Sequence, residues 1–305
     1  MSRQTATFKS SGDEIAGHLY RPDGFSSGSR YPAVITAGPM ATVKEQAAGI
    51  FAEALARQGF VTLAFDYRRF GDSEGEPRQF EDPASKTDDV QNAVSFLSAH
   101  ENVDAARIGA LGICASSSYI AGALTSDRRV KAFGTVSAHF SLREFFTANP
   151  QVSEEVLEQL LTLSNAARQR YFETGVAEPD AMTWPDMTGD EEGDFFQDIY
   201  DYYFRRRAEH WPNFNNHLVP FSLEQLVRSH ALDYAEQIIV PYLGIVGSEA
   251  VTRAYTERFI AAKKRGRSEL RLIDGARHIQ AYDRPEYVRE AVQALSAFFG
   301  DCLRA

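Results

Sequence analysis

Cysteine and long apolar runs are both scarce in this chain of 305 residues. Its two cysteines, Cys114 and Cys302, do not make a disulfide framework, and such sparse thiols are typical of a reducing compartment. No run of about 18 apolar residues is present to span a bilayer. The first residues are polar and lack the apolar core of a secretory signal peptide. These absences predict a cytoplasmic protein without a membrane partner.

Basic residues are outnumbered by acidic ones, 32 against 42, and the net charge is -10. Nucleic-acid binding needs a basic surface, so this balance argues against a nucleic-acid partner. Hydrophobic residues at 44% and charged residues at 24% are typical of a soluble globular protein with a sizeable core. The length allows two domains, but large α/β folds also use this much chain for one.

Apolar segments with strand character alternate with segments of helical spacing along most of the chain. This alternation predicts an α/β fold with a mostly parallel sheet and helices on both faces. Catalytic residues are then expected at the carboxyl ends of the strands. The predicted strands are residues 5–10, 15–20, 31–36, 60–67, 107–113, 130–137, 238–247 and 269–273, and the predicted helices are residues 44–58, 83–99, 119–125, 253–263 and 286–299.

Residues 140–237 break this alternation. Nearly a hundred residues between two strands are too many for a loop, and residues 154–167 have helical spacing. We therefore predict a helical cap over residues 140–237, inserted into a core domain made of residues 1–139 and 238–305. The cap contains an acidic stretch, residues 186–194, and an aromatic stretch, residues 195–214, of which Tyr202 and Tyr203 are expected to line a substrate pocket.

The central motif is Gly112-Ile113-Cys114-Ala115-Ser116, where an apolar strand runs into a segment of small residues. This is the pattern of a nucleophile elbow, in which a sharp turn between strand and helix lifts the central side chain clear of the sheet. Cys114 takes the place of the usual serine. A helix N-terminus and a nearby histidine both favour the reactive thiolate, so the motif predicts Cys114 as a nucleophile.

His278 is the predicted general base. It follows the last predicted strand and precedes the last helix, which is where the α/β-hydrolase order of nucleophile, acid and base puts the histidine. His139 and His210 are weaker candidates for the pocket.

The acid of the triad is less clearly marked. The turn after strand 238–247 carries Glu249, while Ala250 stands where many hydrolases have aspartate. Glu249 is the nearest carboxylate that could orient the imidazole, and Asp283 is the alternative. A cysteine nucleophile can also work with a histidine alone, because its thiol ionises easily.

Two backbone amides are expected to bind the oxyanion. One is the N–H of Ala115, the residue after the nucleophile. The other should come from the loop after the third strand, where Pro39 has no N–H, so Met40 is the predicted donor.

Together these motifs resemble the dienelactone-hydrolase-like α/β-hydrolases, and most closely the YcjY-type hydrolases and the related fungal polyketide transferases. The resemblance implies the α/β-hydrolase fold, Cys114 as nucleophile, His278 as base, and Met40 and Ala115 as amide donors, with no metal or organic cofactor. A homodimer is suggested by the family alone. The motifs are Gly38-Pro39-Met40-Ala41-Thr42-Val43-Lys44-Glu45-Gln46, Phe65-Asp66-Tyr67-Arg68-Arg69-Phe70-Gly71-Asp72-Ser73, Leu111-Gly112-Ile113-Cys114-Ala115, Tyr200-Asp201-Tyr202-Tyr203 and Gly275-Ala276-Arg277-His278.

The chain departs from this family at two places. Gly38 stands where the family usually has histidine, and three serines, residues 116–118, follow the elbow in place of glycines. The first departure changes the polarity expected of the substrate pocket, to which we assign Gly38, His139, Tyr202 and Tyr203. The second adds hydroxyl groups near the thiol.

The expected function is cleavage of a carboxylic ester or thioester, a small-molecule acyl substrate, through an acyl-enzyme on Cys114 with His278 as base. One alternative is an acyltransferase that passes the acyl group to an alcohol or amine. An alternative of another class is a non-catalytic protein that binds a small molecule on the same fold. The missing aspartate at Ala250 and the Gly38 departure favour this last alternative, whereas the order of Cys114 and His278 favours an enzyme.

Overall fold

The computed structural model describes residues 1–148, 152–178, 180–181, 195–203 and 211–304. Of the predicted features, the acidic stretch 186–194 and His210 lie outside these residues. The strands of the described ranges are β1 (Ser2–Ser10), β2 (Asp13–Arg21), β3 (Tyr31–Ala37), β4 (Val61–Phe65), β5 (Val103–Ile113), β6 (Val130–Val136), β7 (Asp180–Ala181), β8 (His217–Leu218), β9 (Tyr242–Gly247) and β10 (Ser268–Ile273).

The α-helices of the same ranges cover all five of the predicted helical segments and several further ones. None of them is both long and apolar enough to cross a lipid bilayer. They are α1 (Ala47–Ala56), α2 (Pro83–Ala99), α3 (Ser116–Leu124), α4 (Leu142–Thr147), α5 (Glu154–Thr174), α6 (Phe195–Tyr203), α7 (Leu223–Leu226), α8 (Arg253–Ala262), α9 (Gln280–Asp283) and α10 (Pro285–Cys302).

Eight strands form one sheet in the order β1-β2-β4-β3-β5-β6-β9-β10. The β1–β2 hairpin and the β2–β4 pair are antiparallel, and all other neighbours in this sheet are parallel. One face buries apolar side chains against α1 and α10, and the other against α2, α3 and α8. The predicted mostly parallel sheet with helices on both faces is therefore confirmed. Strands β5 and β6 lie near its centre, where both faces are covered.

Two helix starts differ by three residues from the prediction, and the local structure gives the reason. Helix α1 begins at Ala47 instead of residue 44, because the amide of Lys44 is taken by the Asp66 carboxylate and the Gln46 side chain accepts from Val43. Helix α3 begins at Ser116 instead of residue 119, since the turn at the end of β5 leads straight into it.

The chain between β6 and β9 is helical in most of its described parts, with α4, α5, α6 and α7. A short antiparallel pair, β7 and β8, joins two of its segments. Helix α6 is attached to the sheet domain by an ion pair in which Arg277 donates to both carboxylate oxygens of Asp198, at 2.6 and 2.9 Å. Because Arg277 precedes His278 in the chain, this contact lies beside the predicted base.

Candidate active site

Cys114 occupies the tight turn between β5 and α3. Its φ angle is +55°, a left-handed conformation that is strained for a residue with a side chain. The turn is fixed by its neighbours: the Cys114 amide donates to the Val136 carbonyl at 3.1 Å, in the adjacent strand. A Cβ at Gly112 would lie 2.8 Å from the Ser117 backbone, so only glycine fits there. The strand, turn and helix of a nucleophile elbow are thus all present.

The two predicted oxyanion donors converge on the sulfur of Cys114. The backbone amides of Ala115 and Met40 lie around the same cavity as this sulfur and lower its pKa, and so does the hydroxyl of Tyr282. Burial nevertheless raises the pKa of the Cys114 thiol to about 11, although each of these three donors lowers it. Cys114 is therefore a neutral thiol, near donors that would stabilise negative charge.

His278 lies on the loop after β10, close to this sulfur, and is almost completely buried. Its Nδ1 atom is 2.7 Å from the Thr252 hydroxyl, and its Nε2 atom is 2.7 Å from the Tyr282 hydroxyl. The Ser137 hydroxyl donates to its backbone carbonyl at 2.9 Å. Burial, and to a smaller extent nearby His139, lowers the pKa of His278 to about 3. The imidazole is therefore neutral, with both ring nitrogens in contact with hydroxyl groups.

The structure does not bring Glu249 to the imidazole. Its side chain is exposed, and Thr252, three residues later in the same turn, contacts Nδ1 instead. Ala250, at the usual position of the acid, is buried. Asp283 lies on α9, in an open groove between α1 and α10. A hydroxyl thus stands where a carboxylate was predicted.

The side chains of Cys114 and His278 line a small cavity of about 60 Å³. Helices α4 and α6 of the cap cover it with apolar side chains. Of the predicted pocket residues, His139 and Tyr203 line this cavity. A cavity of about 300 Å³ or more is usual for a small-molecule substrate, so the cap must move before one can bind. The cap side chains that line the cavity are those of Leu142, Phe145, Phe146, Ile199 and Tyr203.

The other two predicted pocket residues lie beside the cavity. Gly38 is buried, and a Cβ there would lie 2.7 Å from the Thr42 hydroxyl oxygen, so the loop leaves no room for a side chain in its present form. The Tyr202 hydroxyl accepts from the Ala47 amide at 3.3 Å, which attaches α6 to the start of α1.

The three serines after the elbow do not add polarity to the cavity, since all three hydroxyl groups donate to backbone carbonyls. Ser116 thereby ties the start of α3 to the oxyanion loop, and its hydroxyl also meets that of Tyr67 at 2.9 Å. The acceptors of Ser116, Ser117 and Ser118 are the carbonyl oxygens of Gly38, Gly112 and His139, respectively.

A buried ion network holds the loop that carries Met40. The Lys44 ammonium lies 2.8 Å from Asp66, 2.5 Å from Asp72 and 2.9 Å from Glu45. Asp66 also accepts from the Lys44 amide at 2.6 Å. Burial raises the pKa of Asp66 to about 6, against the opposing effect of Lys44. Asn213, between β6 and β9, donates to both Asp72 and Glu45, so the network also contacts the cap.

Thr252 and Tyr282 are site residues that the sequence did not identify. Thr252 lies in the turn that was searched only for carboxylates. Tyr282 follows His278 by four residues, a spacing that places two side chains on the same side of a helical turn. The four-residue spacing of His278 and Tyr282 could have indicated that the two side chains are neighbours. It does not show that the Tyr282 hydroxyl would contact Nε2.

This sheet order, with a nucleophile turn after β5 and a histidine after β10, is that of the α/β-hydrolases. Within that class, the X-Pro dipeptidyl-peptidase (S15 family) matches residues 11–177, more than half of the chain. The chain belongs to this family.

Similar proteins confirm the resemblance inferred from the motifs. The uncharacterized protein YcjY of Escherichia coli (strain K12) is 31% identical, over 95% of this chain and 94% of its own length. The crystal structure of the hypothetical protein PA2218 from Pseudomonas aeruginosa has a TM-score of 0.88 and 31% identity, covering 99% of this chain and 94% of that one.

Two more distant similarities concern part of the chain or the fold alone. The polyketide transferase ClaH of Penicillium crustosum is 33% identical over 38% of this chain and 37% of its own. The crystal structure of dienelactone hydrolase from Anabaena variabilis has a TM-score of 0.60 at 13% identity, covering 99% of both chains, and shares the fold.

Proposed function

We propose that this protein cleaves a carboxylic ester or thioester through a covalent acyl-enzyme on Cys114. The observation that carries the proposal is the convergence of the Ala115 and Met40 amides on a thiol held at a strained elbow. A carbonyl attacked by this sulfur would develop negative charge on its oxygen beside the same two donors. Pre-placed donors of this kind stabilise an oxyanion by about 3 kcal/mol each.

The reaction starts from a neutral thiol and a neutral imidazole. His278 takes the thiol proton, and the Cys114 sulfur attacks the carbonyl carbon. The tetrahedral adduct collapses, its bond to the leaving group breaks, and the leaving group receives the proton. In the second half, His278 takes a proton from water, whose oxygen attacks the thioester and releases the acid. The Thr252 hydroxyl orients the ring through Nδ1 and accepts a hydrogen bond when the ring is protonated.

The acyl group is expected to be apolar, because leucine, phenylalanine and isoleucine side chains of α4 and α6 face the thiol. One polar group stands out among them. The Nδ1 atom of His139 is buried and, within the described ranges, has no hydrogen-bond partner. A buried nitrogen without a partner is costly, so it is a good position to bind a polar atom of the substrate.

A second candidate is acyl transfer, with an alcohol or amine in place of water. The small, mostly apolar cavity favours it, since a cap that packs over the acyl-enzyme would exclude water. The similarity of one third of the chain to a polyketide transferase agrees with this candidate.

The test is intact-mass spectrometry after brief mixing with p-nitrophenyl esters, acyl thioesters and an X-Pro amide. Cys114→Ala removes the proposed nucleophile, and Cys302→Ala is the matched control at the other cysteine, on α10. We expect an acyl adduct that maps to Cys114 in the wild type and Cys302→Ala and is absent from Cys114→Ala. His278→Ala should react slowly and retain its adduct for longer, since water attack also needs the base.

Product analysis separates the two candidates. Free acid as the sole product in the presence of alcohol and amine acceptors favours hydrolysis, whereas ester or amide products favour transfer. If no donor gives an adduct or a product while small ligands still bind, the protein is a binding protein and the proposal fails.

A further inference from the structure

The hydroxyl of Tyr282 stands between the nucleophile and the base. It lies 2.7 Å from Nε2 of His278, the nitrogen that a general base presents to its substrate, and Tyr282 lines the same cavity as the sulfur of Cys114, whose pKa its hydroxyl lowers. Tyr282 is completely buried. The contacts form one continuous chain: Cys114 thiol, Tyr282 hydroxyl, His278 imidazole and Thr252 hydroxyl.

Packing accounts for the ring of Tyr282 but not for its hydroxyl. The ring makes edge-to-face contacts with Tyr202 and His278, at centroid distances of 5.3 and 5.4 Å, which phenylalanine would make equally well. Burying a hydroxyl is costly unless it is hydrogen-bonded. In the part of the chain that the structure describes, its side-chain partners are the two reacting groups.

Two arrangements of this chain differ by the transfer of one proton from the thiol to the imidazole. The hydroxyl of Tyr282 has one proton and can donate to only one neighbour at a time. With a neutral imidazole and Nδ1–H directed at Thr252, Nε2 accepts from Tyr282, and the tyrosine oxygen accepts from the thiol. With a protonated imidazole, Nε2–H donates to the tyrosine oxygen, and the hydroxyl donates to the thiolate.

We propose that Tyr282 is a catalytic residue that passes the proton from the Cys114 thiol to Nε2 of His278. In this step the S–H bond breaks as an O–H bond forms on Tyr282, while the original O–H bond of Tyr282 breaks as an N–H bond forms on Nε2. The product is a thiolate and an imidazolium joined by a neutral tyrosine. The proposal rests on the proposed function, because it needs Cys114 to act as a nucleophile.

The experiment measures the acylation rate of Cys114 in a single turnover with a p-nitrophenyl ester, in mixtures of H₂O and D₂O. The variants are Tyr282→Phe, which removes the hydroxyl, and Tyr242→Phe, a matched control. Tyr242 is also fully buried with a hydroxyl–hydroxyl contact, to Thr135 at 2.8 Å, but it lies at the opposite end of β9 from the site. A third variant carries 3,5-difluorotyrosine at position 282, which keeps the ring and hydroxyl but makes the hydroxyl more acidic.

We expect Tyr282→Phe to acylate about 100-fold more slowly than the wild type, within the usual range for acid–base groups. Tyr242→Phe should remain within about threefold, as its hydroxyl is outside the site. A plot of the wild-type acylation rate against the deuterium fraction of the solvent should be curved, as expected when two protons move in the same step. The same plot for Tyr282→Phe should not be curved. The difluorotyrosine variant should retain acylation with an altered isotope effect, which a purely structural role would not produce.

Two outcomes would overturn the proposal, and they differ. If Tyr282→Phe forms the Cys114 adduct as fast as the wild type, His278 reaches the thiol directly, and the relay fails while the proposed function stands. If the wild type forms no adduct, both fail. Should Tyr282→Phe not fold, a difluorotyrosine variant with an unchanged isotope effect contradicts the relay by itself.

Discussion

At the scale of single residues, the most informative contact is that between Thr252 and His278. A carboxylate at Nδ1 would stabilise a protonated imidazole by charge, whereas a hydroxyl can only orient it and accept one hydrogen bond. A weak base is sufficient when the nucleophile is a thiol, because a thiol loses its proton far more easily than the hydroxyl of serine does. The Thr252 hydroxyl at Nδ1 is therefore chemically consistent with the sulfur of Cys114 as the proposed nucleophile.

Replacing Thr252 tests whether this contact orients the base. Thr252→Val keeps the shape but removes the hydroxyl, and we expect acylation of Cys114 to slow about tenfold, the effect of losing a buried hydrogen bond of about 1.4 kcal/mol. Thr252→Ser, which keeps the hydroxyl, should stay within about threefold of the wild type. The measurement is the single-turnover acylation rate, and equal rates in both variants would contradict the orienting role.

The sequence predicted four residues that the structure brings together around one cavity, but not the partners of His278. Cys114, Met40, Ala115 and His278 follow from the position of each residue relative to a strand, and a strand end is a strong local signal. The partners of His278 depend on how two turns meet in space. Nothing in the order of residues favours Thr252 over Glu249 at Nδ1, because the direction of a side chain in a turn depends on the backbone geometry.

At the scale of elements, the loop between β3 and α1 is held by ionic contacts. This loop, residues 38–46, presents the Met40 amide, and Lys44 connects it to the loop after β4 through Asp66. A buried charge left without its partner costs about 3–5 kcal/mol, whereas an exposed ion pair contributes less than about 1 kcal/mol. The oxyanion loop therefore depends on Lys44 for its conformation.

Lys44→Met should lower the free energy of unfolding by about 3–5 kcal/mol, because Asp66 is left buried without its cation. The control is Arg57→Met, which removes an exposed ion pair with Glu53 on α1 and should cost less than about 1 kcal/mol. Urea unfolding at neutral pH measures both. A difference of less than 1 kcal/mol between the variants would show, by the same reasoning, that the network does not hold the loop.

The contact of Asp198 with Arg277 should control how often the cap opens. We expect Arg277→Gln to raise the alkylation rate of Cys114 by iodoacetamide about tenfold, since a charge-assisted pair contributes about 1.5–3 kcal/mol to the closed state. Arg253→Gln, which removes an exposed pair with Glu257, is the matched control and should have no effect. Mass spectrometry of the Cys114 peptide measures the alkylation rate. Equal rates in the two variants would show that the Asp198–Arg277 contact does not control opening of the cap.

At the scale of the whole molecule, the sheet was the most predictable part and the cap the least. Buried strands such as β4 and β9 are short apolar runs, and helices such as α2 and α10 have a regular apolar face, so both signals are local. The cap helices α4 and α6, which cover the cavity, were not predicted from such a signal. How they cover Cys114, and how small the remaining cavity is, depends on contacts between distant residues that periodicity does not encode.

Acid should destabilise the folded protein through its two buried histidines. Burial lowers the pKa of His139 to about 4 and that of His278 to about 3, from 6.5. Between pH 6.5 and 4 the unfolded chain therefore binds protons that the folded chain does not, so stability is lost as the pH falls and is constant above this range. Each histidine contributes at most about 1.4 kcal/mol per pH unit.

His139→Gln should reduce the number of protons taken up on unfolding in this pH range by about one, since one of the two groups no longer titrates. The pH dependence of stability should weaken accordingly. Urea unfolding at several pH values between 4 and 8 gives the slope, and the comparison at pH 8, where both histidines are neutral, corrects for any packing change in the variant. An unchanged slope would contradict the low pKa of His139.

The adjacency of Arg277 and His278 has a consequence for cap exchange between homologous enzymes. One peptide unit joins Arg277, which holds α6, to His278, the proposed base. A chimera with a foreign segment at residues 140–237 would therefore need a carboxylate at the position of Asp198 to hold that backbone in place. We therefore expect that replacing the cap without that carboxylate would also change the position of His278.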